Sequence, residues 1–143
     1  MDQCMLFDTA TKKWEEMAPP ITARYYHRSV SLGGSVYVVG GKRCTLSDMP
    51  MKCSCGVAVT LNDFIFVVRG FSRTCLKYDP ASDARTRLNR PRQGHGNASA
   101  VVWRGSILLA AGNDIGRNPS SVELFDPLTN IWSNSNIAQP KEK

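Results

Sequence analysis

Five cysteines and two histidines are the side chains of this 143-residue sequence best suited to holding a metal or building a nucleophile. Cys44, Cys53, Cys55 and Cys75 gather mid-chain, but Cys53-x-Cys55 is spaced too closely for common zinc sites and no second pair follows. His27 and His95 have no Ser or Cys elbow and no second histidine one helical turn away. Neither acyl transfer nor metal-assisted hydrolysis therefore has its parts. Two histidines are also too few for a copper centre built on several His and Tyr ligands. Gly94-x-Gly96 lacks the third glycine and the helix of a phosphate loop. Asn97-Ala98-Ser99 matches a glycosylation sequon, expected to stay unused for want of a secretory leader. The expectation is no enzyme activity, no cofactor and no metal, with free thiols acting as small hydrophobes.

Charge remains. Eighteen Lys+Arg against 12 Asp+Glu give +6, an excess that can steer anionic partners but says nothing about fold. Most of the basic residues are scattered, which argues against nucleic acid. Arg85, Arg87, Arg90 and Arg92 alone fall within eight residues, as a solvated strand edge running into a loop or as an anion contact. No apolar run approaches the ~18–20 residues of a membrane span. The start, MDQCMLFD, has neither a basic n-region nor an apolar h-region. A cytoplasmic chain with reduced cysteines is expected.

The elements that position these residues follow from a repeat. Ser29-Val30-Ser31-Leu32, Gly33-Gly34, Val36-Tyr37-Val38-Val39, Gly40-Gly41 has two counterparts: 57–70 around Asn62-Asp63, and 100–112 around Arg104-Gly105. In each, the turn residue (Gly34, Asp63, Gly105) stands seven positions before the last glycine (Gly41, Gly70, Gly112). Short β-branched and aromatic runs about such turns predict β-hairpins. Near-continuous apolar character predicts strands covered on both faces. A second motif interleaves: Phe7-Asp8, Tyr78-Asp79 and Phe125-Asp126 precede Trp14, Arg85 and Trp132, each six positions after the aspartate. Aspartate there predicts a turn bonded to its own backbone, with the flanking aromatics meeting across an antiparallel pair. From position 14 to turn residue 34, and from 85 to 105, is 20 residues in both cases. Two motifs in one phase predict a four-stranded repeating unit. Nothing shows sustained helical periodicity, so the fold class is all-β.

Arg24-x-x-His27, Gly34, Tyr37, Gly40-Gly41, Glu123-x-Phe125-Asp126-Pro127 and Trp132 resemble the kelch repeat, most closely that of BTB–kelch proteins. The resemblance implies a β-propeller with one four-stranded antiparallel sheet, or blade, per repeat. Gly40, Gly41, Gly70 and Gly112 would permit close packing, Asp8, Asp79 and Asp126 would form turns, and Trp14 and Trp132 would fill the space between blades. The units divide as 1–20 (outer strands of a first blade), 21–52 (a truncated repeat), 53–91 and 92–140. About three blades are too few to close a ring, since propellers use four to eight. Departures are Cys53 and Gly56, then His95 and Ala98, at the Arg/His places, Arg69 and Ala111 for glycines, and Arg85 for tryptophan. Turn residues 34 and 63 are 29 apart, against 42 for the next pair, so the repeat at 21–52 lacks room for its outer hairpin.

The implied function is a non-catalytic protein-interaction module, part of the substrate-recognition region of a cullin-3 ubiquitin ligase adaptor. An actin- or cytoskeleton-binding kelch protein is the alternative. Open blade edges could also self-associate. The partner surface falls on the linkers at 22–26 and 90–96 and on the loops at 42–52, 72–73 and 113–120. Arg and Tyr dominate interface hot spots, which selects Arg24, Tyr25, Arg73, Arg90, Arg92 and Arg117.

Overall fold

The computed structural model describes residues 4–18, 25–42, 56–113 and 122–135, and every regular element among them is a strand. β1 (Cys4–Asp8) and β2 (Lys13–Met17) pair with each other, as do β3 (Tyr25–Leu32) and β4 (Ser35–Lys42). β5 (Val57–Leu61), β6 (Phe64–Val68), β7 (Cys75–Asp79) and β8 (Ala84–Leu88) form a four-stranded antiparallel meander. β9 (Ser99–Trp103), β10 (Ser106–Ala110), β11 (Glu123–Asp126) and β12 (Ile131–Asn134) form another.

Both kinds of hairpin close as their residues dictate. Gly33-Gly34, Asn62-Asp63 and Arg104-Gly105 all have positive φ, between 49° and 76°. Two successive positive-φ residues make the type I′ turn, whose twist matches that of the flanking strands. At the outer turns Asp8, Asp79 and Asp126 each accept a backbone N–H two residues on, from Ala10 (2.7 Å), Ala81 (2.9 Å) and Leu128 (2.9 Å). Ser82 and Thr129 donate hydroxyls to the second oxygens of Asp79 and Asp126. The turns end on Lys12, Asp83 and Asn130, all left-handed. The side chain thus replaces part of the missing ladder.

The inner strands β3, β5 and β9 lie side by side and the sheets stack outward from them. β6 shows why its sequence is apolar throughout. Ile65 and Val67 point to one side, packing with Val30, Leu32, Tyr37 and Val39 of the β3–β4 sheet. Phe66 and Val68 point to the other, packing with Ile107, Leu109, Phe125 and Trp132. Period-two alternation with both faces clad gives a continuous hydrophobic run. The arrangement is an open arc of a β-propeller, and no ring closes among the described residues.

One boundary shifts from expectation. Tyr25 belongs to β3, where it pairs with Lys42, and not to a linker at 22–26. The β3–β4 ladder runs past Gly40-Gly41, so the strand takes in residues that their position before the motif had suggested were loop.

Candidate functional site

The segment joining β8 to β9, residues 89–98, crosses the β9–β12 sheet and is fastened at each step. Asn89 N–H donates to Asn130 Oδ1 (2.9 Å), its side-chain amide donates to Asn130 O (2.7 Å), and its carbonyl accepts from Trp132 Nε1 (2.8 Å). Pro91 is buried. Arg92 N–H donates to both oxygens of the Glu123 carboxylate, at 3.0 and 3.1 Å. Glu123 is fully buried, and its Oε2 lies 3.3 Å from His95 Nε2. The other ring nitrogen, Nδ1, is 2.7 Å from Ala111 O. A carbonyl only accepts, so Nδ1 carries its proton there. His95 N–H donates to Gly70 O (3.1 Å), and Gly96 and Asn113 exchange two 2.8 Å backbone bonds.

That last bridge explains a glycine. A Cβ at Gly112, whose φ is +100°, would stand 2.9 Å from Gly96 O. Ala111 holds φ 58°, the left-handed conformation that its counterpart Gly40 adopts at 78°. The pair Arg69-Gly70 instead opens a short loop closed by Arg69 N–H to Thr74 O (2.8 Å).

Arg73 tops that loop with φ 52° and donates from its guanidinium to Arg92 O at 2.8 Å. Arg73 and Arg92 are thus brought together, and Arg90 lies on the same clamped segment with its side chain, like that of Arg92, exposed. Arg85 and Arg87 are also exposed, but they stand on β8, on the face of Tyr78 and Leu76. Arg24 and Arg117 lie outside the described residues, as do Cys44, Cys53 and Cys55. Of the signature residues, Gly40, Gly41 and Gly70 are buried and Trp132 nearly so, while Trp14 is 64% exposed.

Chemically the site is built as a lock between backbone segments. His95 (2% exposed) and Glu123 (0%) are closed to solvent and hold backbone. Burial pushes the Cys75 thiol up to about 12, so the thiolate nucleophile is suppressed. No three His, Cys, Asp or Glu side chains among the described residues group as metal ligands do. Glu123 is the residue that residue-type reasoning leaves without a role. Its signal is that it stands two residues before Phe125, where the other units carry Met5 and Leu76, and an acid on a buried strand demands partners.

The chain is similar in sequence to several curated proteins. Kelch-like protein 25 of Xenopus tropicalis is 29% identical over 129 residues, 90% of this chain and 19% of that protein. Kelch-like protein 23 of Homo sapiens is 25% identical over 159 positions, covering 92% and 27%. Kelch-like protein 36 of Mus musculus is 28% identical over 131 residues, covering 90% and 18%. The chain carries kelch repeats. It spans about a fifth to a quarter of the length of these curated relatives. No family model matches it. The two four-stranded sheets correspond to blades, and β3–β4 is a two-stranded sheet among the described residues. Fourteen residues, 43–56, separate β4 from β5, against thirty, 69–98, between β6 and β9. The alignment to Kelch-like protein 23 is longer than the chain itself, so this chain lacks residues which that relative has.

Proposed function

We propose that this chain is a non-catalytic kelch protein-interaction module and works in the cytoplasm as part of the substrate-reading region of a cullin-3 ubiquitin ligase adaptor. The observation that carries the reading is the clamped segment 89–98. Its backbone is fixed by Glu123, Asn130 and Gly70, while the side chains of Arg90 and Arg92 remain in solvent. Loops held rigid by a scaffold present recognition residues at low entropic cost. Arginine forks suit carboxylates, so the partner's contact is acidic. Arg73 braces the segment at Arg92 O, and the proposed contact also takes in Arg24, Tyr25 and Arg117.

Proximity labelling in cells tests the reading. A labelled acidic partner that accumulates when cullin-3 is inhibited supports it, and labelled actin filaments would move it to the cytoskeletal class. For that partner, an Arg90→Ala/Arg92→Ala variant should fold normally and associate more slowly, with the deficit shrinking as salt rises. Equal association rates at low and high salt would exclude the arginines from the contact.

A further inference from the structure

The contact between His95 and Glu123 fixes how many protons the ring carries. Nδ1 meets Ala111 O at 2.7 Å, and a carbonyl only accepts, so that nitrogen is protonated. A neutral ring would then turn the lone pair of Nε2 toward Glu123 Oε2, 3.3 Å away. Two electron-rich atoms repel at that distance, and solvent screens neither of these groups, since both are buried. A second proton, on Nε2, reverses the sign and makes the contact an ion pair. Buried charges persist where they are paired and hydrogen-bonded. Both conditions hold here. The carboxylate accepts Arg92 N–H on its two oxygens, and the ring keeps its bond to Ala111 O.

The surrounding charges are few. Among the described residues, the loop whose Gly70 O accepts His95 N–H carries Arg69 and Arg73, both half-buried. Arg92, in the segment of His95 itself, has its side chain exposed. These arginines oppose a further cation, Arg73 and Arg92 weakly because solvent screens them, whereas Glu123 touches the ring. Cys75 on β7 is neutral, its thiol pushed up to about 12 by burial. β9, β10 and residues 111–113 bring no ionisable side chain. Both members of the pair also distinguish this unit from the others. His95 takes the place of Arg24 and Cys53, and Glu123 that of Met5 and Leu76. Arginine is a permanent cation, but histidine is one only while it holds its second proton.

We propose that segment 89–98 is locked by a protonated His95 against Glu123, so that closing the lock takes up one proton and raising the pH opens it. In the opened segment the imidazole titrates near its ordinary value of about 6.5, and in the locked one it keeps its proton to higher pH. The contribution of the pair is therefore fully present below about pH 6.5 and is lost as pH rises through the locked ring's own value. Arg90 and Arg92 ride on this segment, so their presentation to a partner weakens with it. That consequence rests on the function proposed above, whereas the lock does not.

Imidazole nitrogen NMR shifts on the whole chain report the charge of the ring, and the one other histidine, His27, is assigned through His27→Gln. His95 should be an imidazolium at about pH 7.5, above the midpoint of the free side chain. A neutral ring at that pH overturns the proposal without recourse to any variant at the lock. In Glu123→Gln the midpoint should drop, because burial then opposes the charge unaided, and a midpoint left unmoved also overturns it. Amide hydrogen exchange, measured without a partner, follows the lock. Protection of Arg92 and Gly96, corrected for the intrinsic pH dependence of exchange, should be constant below about pH 6.5 and fall by up to about tenfold per pH unit above it. In His95→Arg, with a cation that does not titrate, the fall should vanish. Constant protection in the wild type from about pH 6 to about pH 9, or a fall that persists in His95→Arg, overturns the proposal. The expected fall together with unchanged partner affinity over the same range supports the lock and removes the contact assigned to Arg90 and Arg92.

Discussion

The two complete blades place the same cross-strand pair in opposite circumstances. Phe125 and Trp132 stack at 4.9 Å and are sealed beneath segment 89–98, with the indole N–H bonded to Asn89 O. Tyr78 and Arg85 stack at 5.0 Å in the same register, but open to solvent, the guanidinium held by Asp83. Phe7 and Trp14, again 5.0 Å apart, repeat the pair on the detached hairpin. Pairing geometry is constant and burial is not. Local spacing builds the pair, and what the preceding unit lays over it decides its energetic weight. Arginine stands at the tryptophan place where none of the described residues covers it, and its guanidinium stacks on the ring below and still reaches water.

The largest expected effect breaks the buried pair. Trp132→Ala should cost about 3–5 kcal/mol, since it removes a core indole and leaves Asn89 O without its donor. Urea unfolding measures it, and a loss no larger than that of Arg85→Ala would overturn the assigned register. Next comes the lock beside it. Glu123→Gln keeps the shape but loses the carboxylate that accepts Arg92 N–H with both oxygens and lies against His95, at a cost of about 1–3 kcal/mol. Hydrogen exchange should show Arg92 and Gly96 losing protection before the strands do. Arg85→Ala should fall within about 1 kcal/mol, and Trp14→Ala within about 0.5 kcal/mol, because both positions are already wet. Trp14 and Trp132 equal in stability effect would mean that the hairpin is buried in solution.

The smallest effect is common to all three pairs. Hydrogen bonds from Thr11, Ser82 and Thr129 hold the carboxyls of Asp8, Asp79 and Asp126 below the ordinary 3.8. A depressed acid stabilises the fold above its unfolded value and loses that contribution as pH falls through the lower folded one. With the His95 proton set aside, stability should therefore be flat above about pH 4 and decline below it, equally in wild type and in Asp→Asn variants of the three turns only if the turns carry nothing.

Much of this was legible in the residues. Asn62-Asp63 and the two glycine-bearing turns specify their hairpins because few other residues accept positive φ, and Asp8, Asp79 and Asp126 specify theirs by bonding locally. The aromatic-to-tryptophan spacing fixed which side chains meet across β11 and β12. Tyr25 was misplaced because a ladder's end depends on the partner strand, and no local preference marks it. Glu123 stayed silent because its partners, Arg92 and His95, lie about thirty residues away.

The sequence by itself determined the strands, their turns, their repeat phase and the shortfall between β4 and β5. All of these rest on interactions within a few residues or on plain chain length. Only the tertiary structure decided that Trp132 is sealed while Trp14 and Arg85 are not, and that a buried histidine and glutamate fasten segment 89–98. It also decided that β4 pairs only with β3 among the described residues. Burial is a property of what lies opposite, and in stacked sheets the opposite face is supplied by a different repeat.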